Sequence, residues 1–355
     1  MNPLFWLRAE VKSGERRSPL TPAGAATLLA TGADVVVERS EERIFTDQEF
    51  AAVGCQLVRP GSWQEAPNHA YVLGLKELPV ADHALVHRHI YFAHVFKGQD
   101  ESAQVLGRFH RGGGQIFDLE FLRDDQDRRL CAFGYWAGYV GAAVAIAGYY
   151  HHANSDELFP AQCSYPNKVQ YLQQLRALQA CGTALPKVLV IGAKGRCGRG
   201  AVELCEELGI TAVQWDLAET QAGGPFAAIN DFDIMINCAY LAPGTAPFVT
   251  AQSLAEPRRL SIISDVSCDP NNPDNPIRIY DSITTLPQPI VPSNVDGVYI
   301  QAVDHLPTVL PKESSEEFAG LLLPHLLELA RSGEGAEVWQ RAATFYQNAL
   351  VRYFD

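Results

Sequence analysis

The chain reads as an α/β protein with mainly parallel sheets and helices on both faces. Two observations predict this. Apolar runs of strand length alternate with amphipathic, helix-length segments along the whole of its 355 residues. Near the middle, one such run feeds a glycine-rich turn and a helix, the grammar of a strand–turn–helix unit in a parallel sheet.

In order, strands are predicted at PLFWLRAE, ADVVVERS, AYVLGLKEL, HIYFAHVF and GQIFDLEFL, because each is apolar, rich in β-branched or aromatic residues and bounded by polar or turn-forming residues. Helices fall between them at Pro22 to Ala30, near Asp47 to Val53 and at Glu101 to Arg111. The middle third supplies KVLVIGA, TAVQWD, DIMINC, SIISDVS and VYIQAVDHL as the strands of a second sheet. The last 40 or so residues return to helix, in SSEEFAGLLLPHLLELARSG and EVWQRAATFYQNALVRYF, with apolar steps of three and four. Helices at the end of the chain must cover a sheet, and the first sheet otherwise lacks enough of them. A discontinuous first domain, residues 1–132 plus 313–355, is therefore expected, with a nucleotide-binding domain at 133–312 and the active site in the cleft between them.

Length suits two such domains, and a 47% hydrophobic content suits a globular enzyme. The net charge of −13 disfavours broad binding to nucleic acid or anionic membranes, although local basic clusters could hold an anionic substrate. The opening MNPLFWLRAE lacks a basic segment before its apolar run, so no secretory signal is visible and a cytoplasmic location is expected. The stretch Gly134 to Tyr150 is uncharged but glycine-rich, which suits a helix packed tightly under a sheet better than a membrane span. Eight cysteines show neither C-x-x-C pairs nor Cys/His metal spacing, so no metal is expected. Cys197 and Cys238 could be neighbours across adjacent strand ends, with a disulfide between them left open.

In KVLVIGAKGRCGRGAVELCEELGI the glycines Gly192, Gly195 and Gly198 permit a tight turn and close backbone approach to a pyrophosphate at a helix N-terminus. Their spacing, G-x-x-G-x-x-G, departs from G-x-G-x-x-G, and glycines also serve turn geometry alone. The following strand ends in Asp216, 18 residues beyond Gly198, where an acid accepts hydrogen bonds from a ribose 2′-hydroxyl and repels a 2′-phosphate. This favours NAD over NADP, unless Asp216 is simply a solvated strand-end aspartate.

The residues that could do chemistry cluster at strand ends, where ligands bind in α/β sheets. Lys76 ends one strand, and His94 and Lys97 end the next. A desolvated lysine can lose its charge, and a histidine can exchange a proton near neutrality. The alternatives are a solvated lysine and a hydrogen-bonded core histidine. Arg17, Arg128 and Arg129 are candidate carboxylate ligands or surface arginines, and Glu77 and Glu120 could tune the neighbouring cations or solvate strand ends.

Taken in order, LRAEVKSGERRSPLTP, GLKELP, HIYFAHVFKGQ, FDLEFLRDDQDRRLCAFGYWAG, IGAKGRCG, DVSCDPNNPDNPI and VDHLPTVLP closely resemble the saccharopine dehydrogenase family of the NAD-dependent, L-lysine-forming type, over essentially the whole chain. The resemblance implies two Rossmann-like, doubly wound domains flanking a cleft, and oxidation of saccharopine with NAD and water to L-lysine and 2-oxoglutarate, reversibly. It implies catalytic roles for Lys76 and His94, with Lys12, Glu77 and Glu120 supporting. Substrate contacts are implied for Arg17, Lys97, Arg129, Phe133, Ser267, Cys268 and Asp269. NAD contacts are implied for Gln99, Arg128, Gly192, Gly195, Arg196, Cys197, Gly198, Asp216, Thr220, Tyr240, Val266, Val303, Asp304, His305 and Leu306. The family's cysteine pair corresponds to Cys197 and Cys238. Lys194 in the turn and Cys268 before Asp269 depart from the expected pattern. The expected partners are small molecules only, and the expected state is a monomer. Competing readings are an alanine-dehydrogenase-like reductive amination of pyruvate and a non-catalytic NAD sensor on the same fold. The extra arginines and the long RDDQDRRLCAFGYWAG block favour a larger, more anionic substrate than pyruvate.

Overall fold

A computed structural model describes all residues except Met1, Asp100, Asp156, Gly182, Thr183, Tyr240, Leu241, Ala242, Thr245 and Asp355. The chain divides into two compact units: Met1–Ala132 with Pro311–Asp355, and Phe133–Leu310.

The first unit begins β1 (Leu4–Leu7), α1 (Pro22–Ala30), β2 (Asp34–Glu38), α2 (Asp47–Ala52), β3 (Gln56–Val58), β4 (Tyr71–Leu73), β5 (Arg88–Tyr91), α3 (Ser102–Gly112) and β6 (Gln115–Asp118). The sheet order is β3-β2-β1-β4-β5-β6, and every neighbouring pair is parallel. This is the doubly wound order with its switch point between β1 and β4, so the loops after those strands border the natural ligand crevice. Thr21 caps α1 by accepting the Gly24 N–H at 3.0 Å, with Pro22 at the first helical position. A capping box between Thr46 and Glu49 starts α2.

The second unit holds α4 (Gly134–Asn154), α5 (Lys168–Gln179), β7 (Val188–Ile191), α6 (Arg196–Glu207), β8 (Ala212–Trp215), α7 (Leu217–Thr220), β9 (Ile234–Asn237), β10 (Val249–Thr250), β11 (Ile262–Asp265), β12 (Ile277–Arg278), β13 (Val291–Pro292) and β14 (Tyr299–Gln301). Its main sheet runs β13-β14-β11-β9-β7-β8, parallel except for the antiparallel edge strand β13, and β10 pairs with β12 apart from it. The uncharged segment from Gly134 is indeed a buried helix, packed against α6 and β11. No helix among the described residues is long and apolar enough to cross a membrane.

The chain then returns to the first unit through α8 (Pro311–Ser332) and α9 (Glu337–Phe354). Helix α8 packs on α1, and α9 packs on β6 and α3. Trp339 stands edge-on to Phe117 at 5.2 Å between ring centroids, and Phe345 meets Phe121 at 4.8 Å. Trp339 and Phe117 are fully buried, and a ring so buried contributes roughly 1.5–3 kcal/mol relative to exposure.

Several predicted strands are cut short by one device. Strand β1 stops at Leu7 because the Ala9 N–H turns to the Glu38 carboxylate, at 2.9 Å. After Leu73 the N–H groups of Leu75 and Lys76 leave the ladder for the two carboxylate oxygens of Glu10, at 2.7 and 3.0 Å. After Tyr91 the Ala93 N–H goes to Asp118, at 3.2 Å. A buried carboxylate that takes backbone donors satisfies groups a sheet would otherwise pair, and so ends the strand. Lys76 and His94 therefore stand on loops three residues beyond their strands. Strand β3 and helix α5 were not predicted; β3 is a short, half-exposed edge strand.

Candidate active site

In the first unit, loops after β1, β4, β5 and β6 bring charged side chains within electrostatic reach of one another. Lys76 interacts with Lys12, Glu15, Arg17 and Glu77, and His94 with Lys76, Glu77, Lys97 and Glu120. Burial depresses the pKa of the Lys76 ammonium, and the Arg17 and Lys12 charges depress it further, while Glu15 and Glu77 oppose them. Burial, helped by the Lys76 and Lys97 charges, lowers the His94 pKa against the pull of Glu77 and Glu120. Each of the two groups thus moves toward its uncharged, proton-accepting form.

The rest of the charged cluster is internally paired. Arg17 is buried and bonds Glu15 through two nitrogens, Nε at 2.8 Å and Nη2 at 2.5 Å. Burial raises the Glu15 carboxyl, but this ion pair outweighs it and holds the pKa below the usual value. Lys97 Nζ lies 2.7 Å from Glu120, whose pKa falls for the same reason despite partial burial. Gln99 accepts the Lys97 N–H at 3.0 Å. Arg129 donates from Nε to the Cys131 carbonyl at 3.0 Å and lies 5.4 Å from the Phe92 ring centroid. Arg128 is exposed and paired with Asp124 at 2.8 Å, so a ligand would have to compete with that carboxylate. Gln99 and Arg128 belong to the first unit, whereas the glycine turn belongs to the second.

Sequence reasoning passed over Glu10, Glu15 and Asp118 as site residues. Glu10 is 8% exposed at its side chain, paired with Arg8 at 3.2 Å, and burial raises its pKa. Burial pushes Asp118 up to about 6, although the N–H groups of Glu120, Ala93 and His94 bond its carboxylate. The available signal was an acid standing at the end of an otherwise apolar run.

In the second unit the turn between β7 and α6 is built from backbone. Gly192 has φ +77°, and a Cβ there would lie 2.8 Å from the Ala239 nitrogen. A Cβ at Gly198 would lie 2.5 Å from the Ala193 Cα. Gly195 caps α6 with no side-chain hydrogen bond, which leaves the first-turn N–H groups to an outside acceptor. Asp216 caps α7, accepting the N–H groups of Lys194 and Leu217 at 2.9 Å each, and these bonds lower its pKa. Thr220 donates to the Asp216 carbonyl at 2.9 Å, and Arg196 and Cys197 open α6. Small turn, open helix end and terminal acid fit a dinucleotide.

Val266, Ser267, Cys268 and Asp269 follow β11, and Val303 to Leu306 follow β14, its neighbour in the sheet. Burial, with Asp265, Asp304 and Asp269 nearby, pushes the Cys268 thiol up to about 12. Beneath this turn Asp265, raised to about 6 by burial, accepts from Tyr280 at 2.7 Å and Asn237 at 2.9 Å. Asp304 bonds His305, and Val303 and Leu306 are buried. Phe133 precedes α4 as its N-cap. Tyr240 lies outside the described residues. Cys197 and Cys238 are both free thiols, and the hydrogen bond that the protonated Cys238 makes to Cys197, together with burial, pushes the Cys238 thiol well up.

The N-terminal domain family of alanine dehydrogenase and PNT matches residues 6–140. The saccharopine dehydrogenase (NAD+, L-lysine-forming) of Emericella nidulans is 47% identical, covering 98% of this chain and 97% of its own. The chain belongs to the saccharopine dehydrogenase family. The saccharopine dehydrogenase of Schizosaccharomyces pombe is 44% identical, with 99% of each chain covered. Among solved structures, an L-alanine dehydrogenase shares the fold of this saccharopine dehydrogenase family member at a TM-score of 0.69 and 17% identity, covering 99% of both chains. The two parallel-sheet, Rossmann-like units expected from sequence are thereby the family's fold.

Proposed function

We infer that the protein is an oxidoreductase that oxidises saccharopine with NAD to L-lysine and 2-oxoglutarate, and runs the reductive condensation in reverse. Near-full-length kinship at 47% identity carries the inference. The chemistry of the first unit supports it. Saccharopine presents a secondary amine and three carboxylates, and the cluster offers Arg17, Lys97 and Arg129 as cationic contacts.

When bound, the nicotinamide supplies the hydride acceptor. Lys76, whose pKa is lowered by desolvation and by the nearby Arg17, takes the proton of the substrate's secondary amine in its neutral form and frees the amine's lone pair. His94 takes a proton from the water that attacks the oxidised carbon, then returns a proton to the lysine nitrogen as it leaves. Glu77 and Glu120 hold the charge that His94 gains in between. In the second unit, the Gly192–Gly198 turn and Asp216 would hold the pyrophosphate and ribose, with Val266 and Val303 to Leu306 as further cofactor contacts and Ser267 to Asp269 as substrate contacts. Asp216 favours NAD over NADP by repelling a 2′-phosphate. A monomer in the cytoplasm completes the proposal, to be checked by light scattering and cell fractionation.

The deciding assay is NADH oxidation by the pure protein with 2-oxoglutarate and L-lysine, against ornithine, against ammonia with pyruvate, and without amine. Lysine-dependent oxidation is expected. Turnover only with pyruvate and ammonia would move the protein to alanine dehydrogenase chemistry.

A further inference from the structure

We infer that Glu10 and Asp118 are positioning residues for the reaction: each fixes one reactive side chain by binding the backbone on which it stands, without touching reacting atoms. The inference rests on the roles proposed above for Lys76 and His94.

The Lys76 peptide is gripped from both sides. Glu10 accepts the Leu75 N–H at 2.7 Å and the Lys76 N–H at 3.0 Å, one on each oxygen. Arg8, itself paired with Glu10 at 3.2 Å, donates to the Lys76 carbonyl. Both side chains are buried, at 1% and 8% exposure, so little water competes for these bonds. The direction of the Lys76 side chain is thereby set through its backbone, by bonds that do not use its amine.

His94 needs more help. Its φ of +54° lies in the left-handed region that side chains with a Cβ rarely enter, and such a conformation persists only where its surroundings over-determine it. Asp118 is the group that does so. Its Oδ2 accepts the Ala93 N–H at 3.2 Å, the His94 N–H also bonds this carboxylate, and its Oδ1 accepts the Glu120 N–H at 2.8 Å. One 1%-exposed carboxylate therefore sets both the histidine and the glutamate whose charge acts on it. Replacing either carboxylate by its amide puts an NH2 group where an N–H must be accepted, which breaks one grip with almost no change in volume.

The test is a pair of double-mutant cycles read by single-turnover NADH oxidation with lysine and 2-oxoglutarate, with melting curves as a check on folding. Asp118→Asn alone should lower the rate about 10- to 100-fold, the size expected for a misplaced catalytic group. In a His94→Gln background the same change should cost less than about twofold, because the group it positions is gone. Glu10→Gln should behave alike against Lys76→Met. NADH affinity should not move in any of the four. Losses that multiply in both cycles would overturn the positioning role while leaving the proposed reaction intact. A wild-type protein silent with lysine would instead sink the reaction itself. Should Asp118→Asn fail to fold, the Glu10 cycle decides.

Discussion

The two units build parallel sheets of the same kind and use their strand ends in opposite ways. In the first, the loops after β1, β4, β5 and β6 carry Lys12, Glu15, Arg17, Lys76, Glu77, His94, Lys97 and Glu120, and the proposed chemistry lies in side chains whose charges shift one another. In the second, the loop after β7 clears side chains away at Gly192 and Gly198 and offers backbone N–H groups instead. A group that must change its protonation has to be a side chain, tuned by neighbours. A pyrophosphate that only has to be held is served better by bare peptide, which cannot titrate and adds no bulk. Both units nonetheless keep one buried aspartate at a strand end, Asp118 and Asp265, each raised to about 6 by burial and each bonded to the groups that shape the neighbouring loop.

This division can be broken by experiment. The largest effect is expected from Lys76→Met and His94→Gln, which should each lower kcat by roughly 10² to 10⁴. The NADH dissociation constant, followed by fluorescence titration, should stay within about twofold because the changes fall in the other unit. Next, Gly192→Ala forces a Cβ onto a left-handed residue, 2.8 Å from the Ala239 nitrogen. NADH binding should weaken about tenfold or more, and kcat at saturating cofactor should change much less. Equal losses of cofactor affinity in the lysine and glycine variants would erase the contrast.

Asp216→Asn sharpens the cofactor half. Without the negative charge, the ratio of NADPH to NADH use in steady-state assays should rise about tenfold, and an unchanged ratio would remove Asp216 from discrimination.

The smallest expected effect separates structural from functional titration in the first unit. His89 is fully buried beside Trp63 and Phe109, and neither ring nitrogen has a partner among the described residues. Burial, with Arg8, His87 and Arg108 nearby, lowers its pKa well below the ordinary 6.5. The folded state thus refuses a proton that the unfolded chain accepts, so stability is fully present above pH 6.5 and falls as pH drops below it. His89→Phe should flatten that acid limb in urea melts read across pH 5 to 7, without moving the pH profile of kcat.

Much of this was legible in the residues. The α1 limits Pro22 and Ala30, the full span of α9 and the cores of the long strands follow from periodicity and caps. Strand ends did not, because what stops β1, β4 and β5 is a carboxylate on another element: Glu38 for Ala9, Glu10 for Leu75 and Lys76, Asp118 for Ala93. Glu10 and Lys76 are 66 positions apart, and no local pattern reports such a bond. Lys76 and His94 stood out by type and place, yet the pairing of Arg17 with Glu15 and of Arg128 with Asp124 was not visible, since any arginine near an acid reads alike in sequence. Helix α5 escaped because its apolar stripe is thin, with Tyr171, Leu172 and Leu175 as its buried residues.

The interrupted first unit also sets the order in which the protein can be made. Its sheet is translated by Asp118, but Tyr346 and Ala349, which belong to its core, arrive only with α9 after the whole second unit has been synthesised. At about 5–20 residues per second that delay is on the order of 10 to 50 s. The second unit is continuous in sequence and can close on the ribosome, whereas the first must wait with its apolar face bare. The nascent chain is thus most exposed to aggregation in the unit that carries Lys76 and His94, and that unit comes into being last.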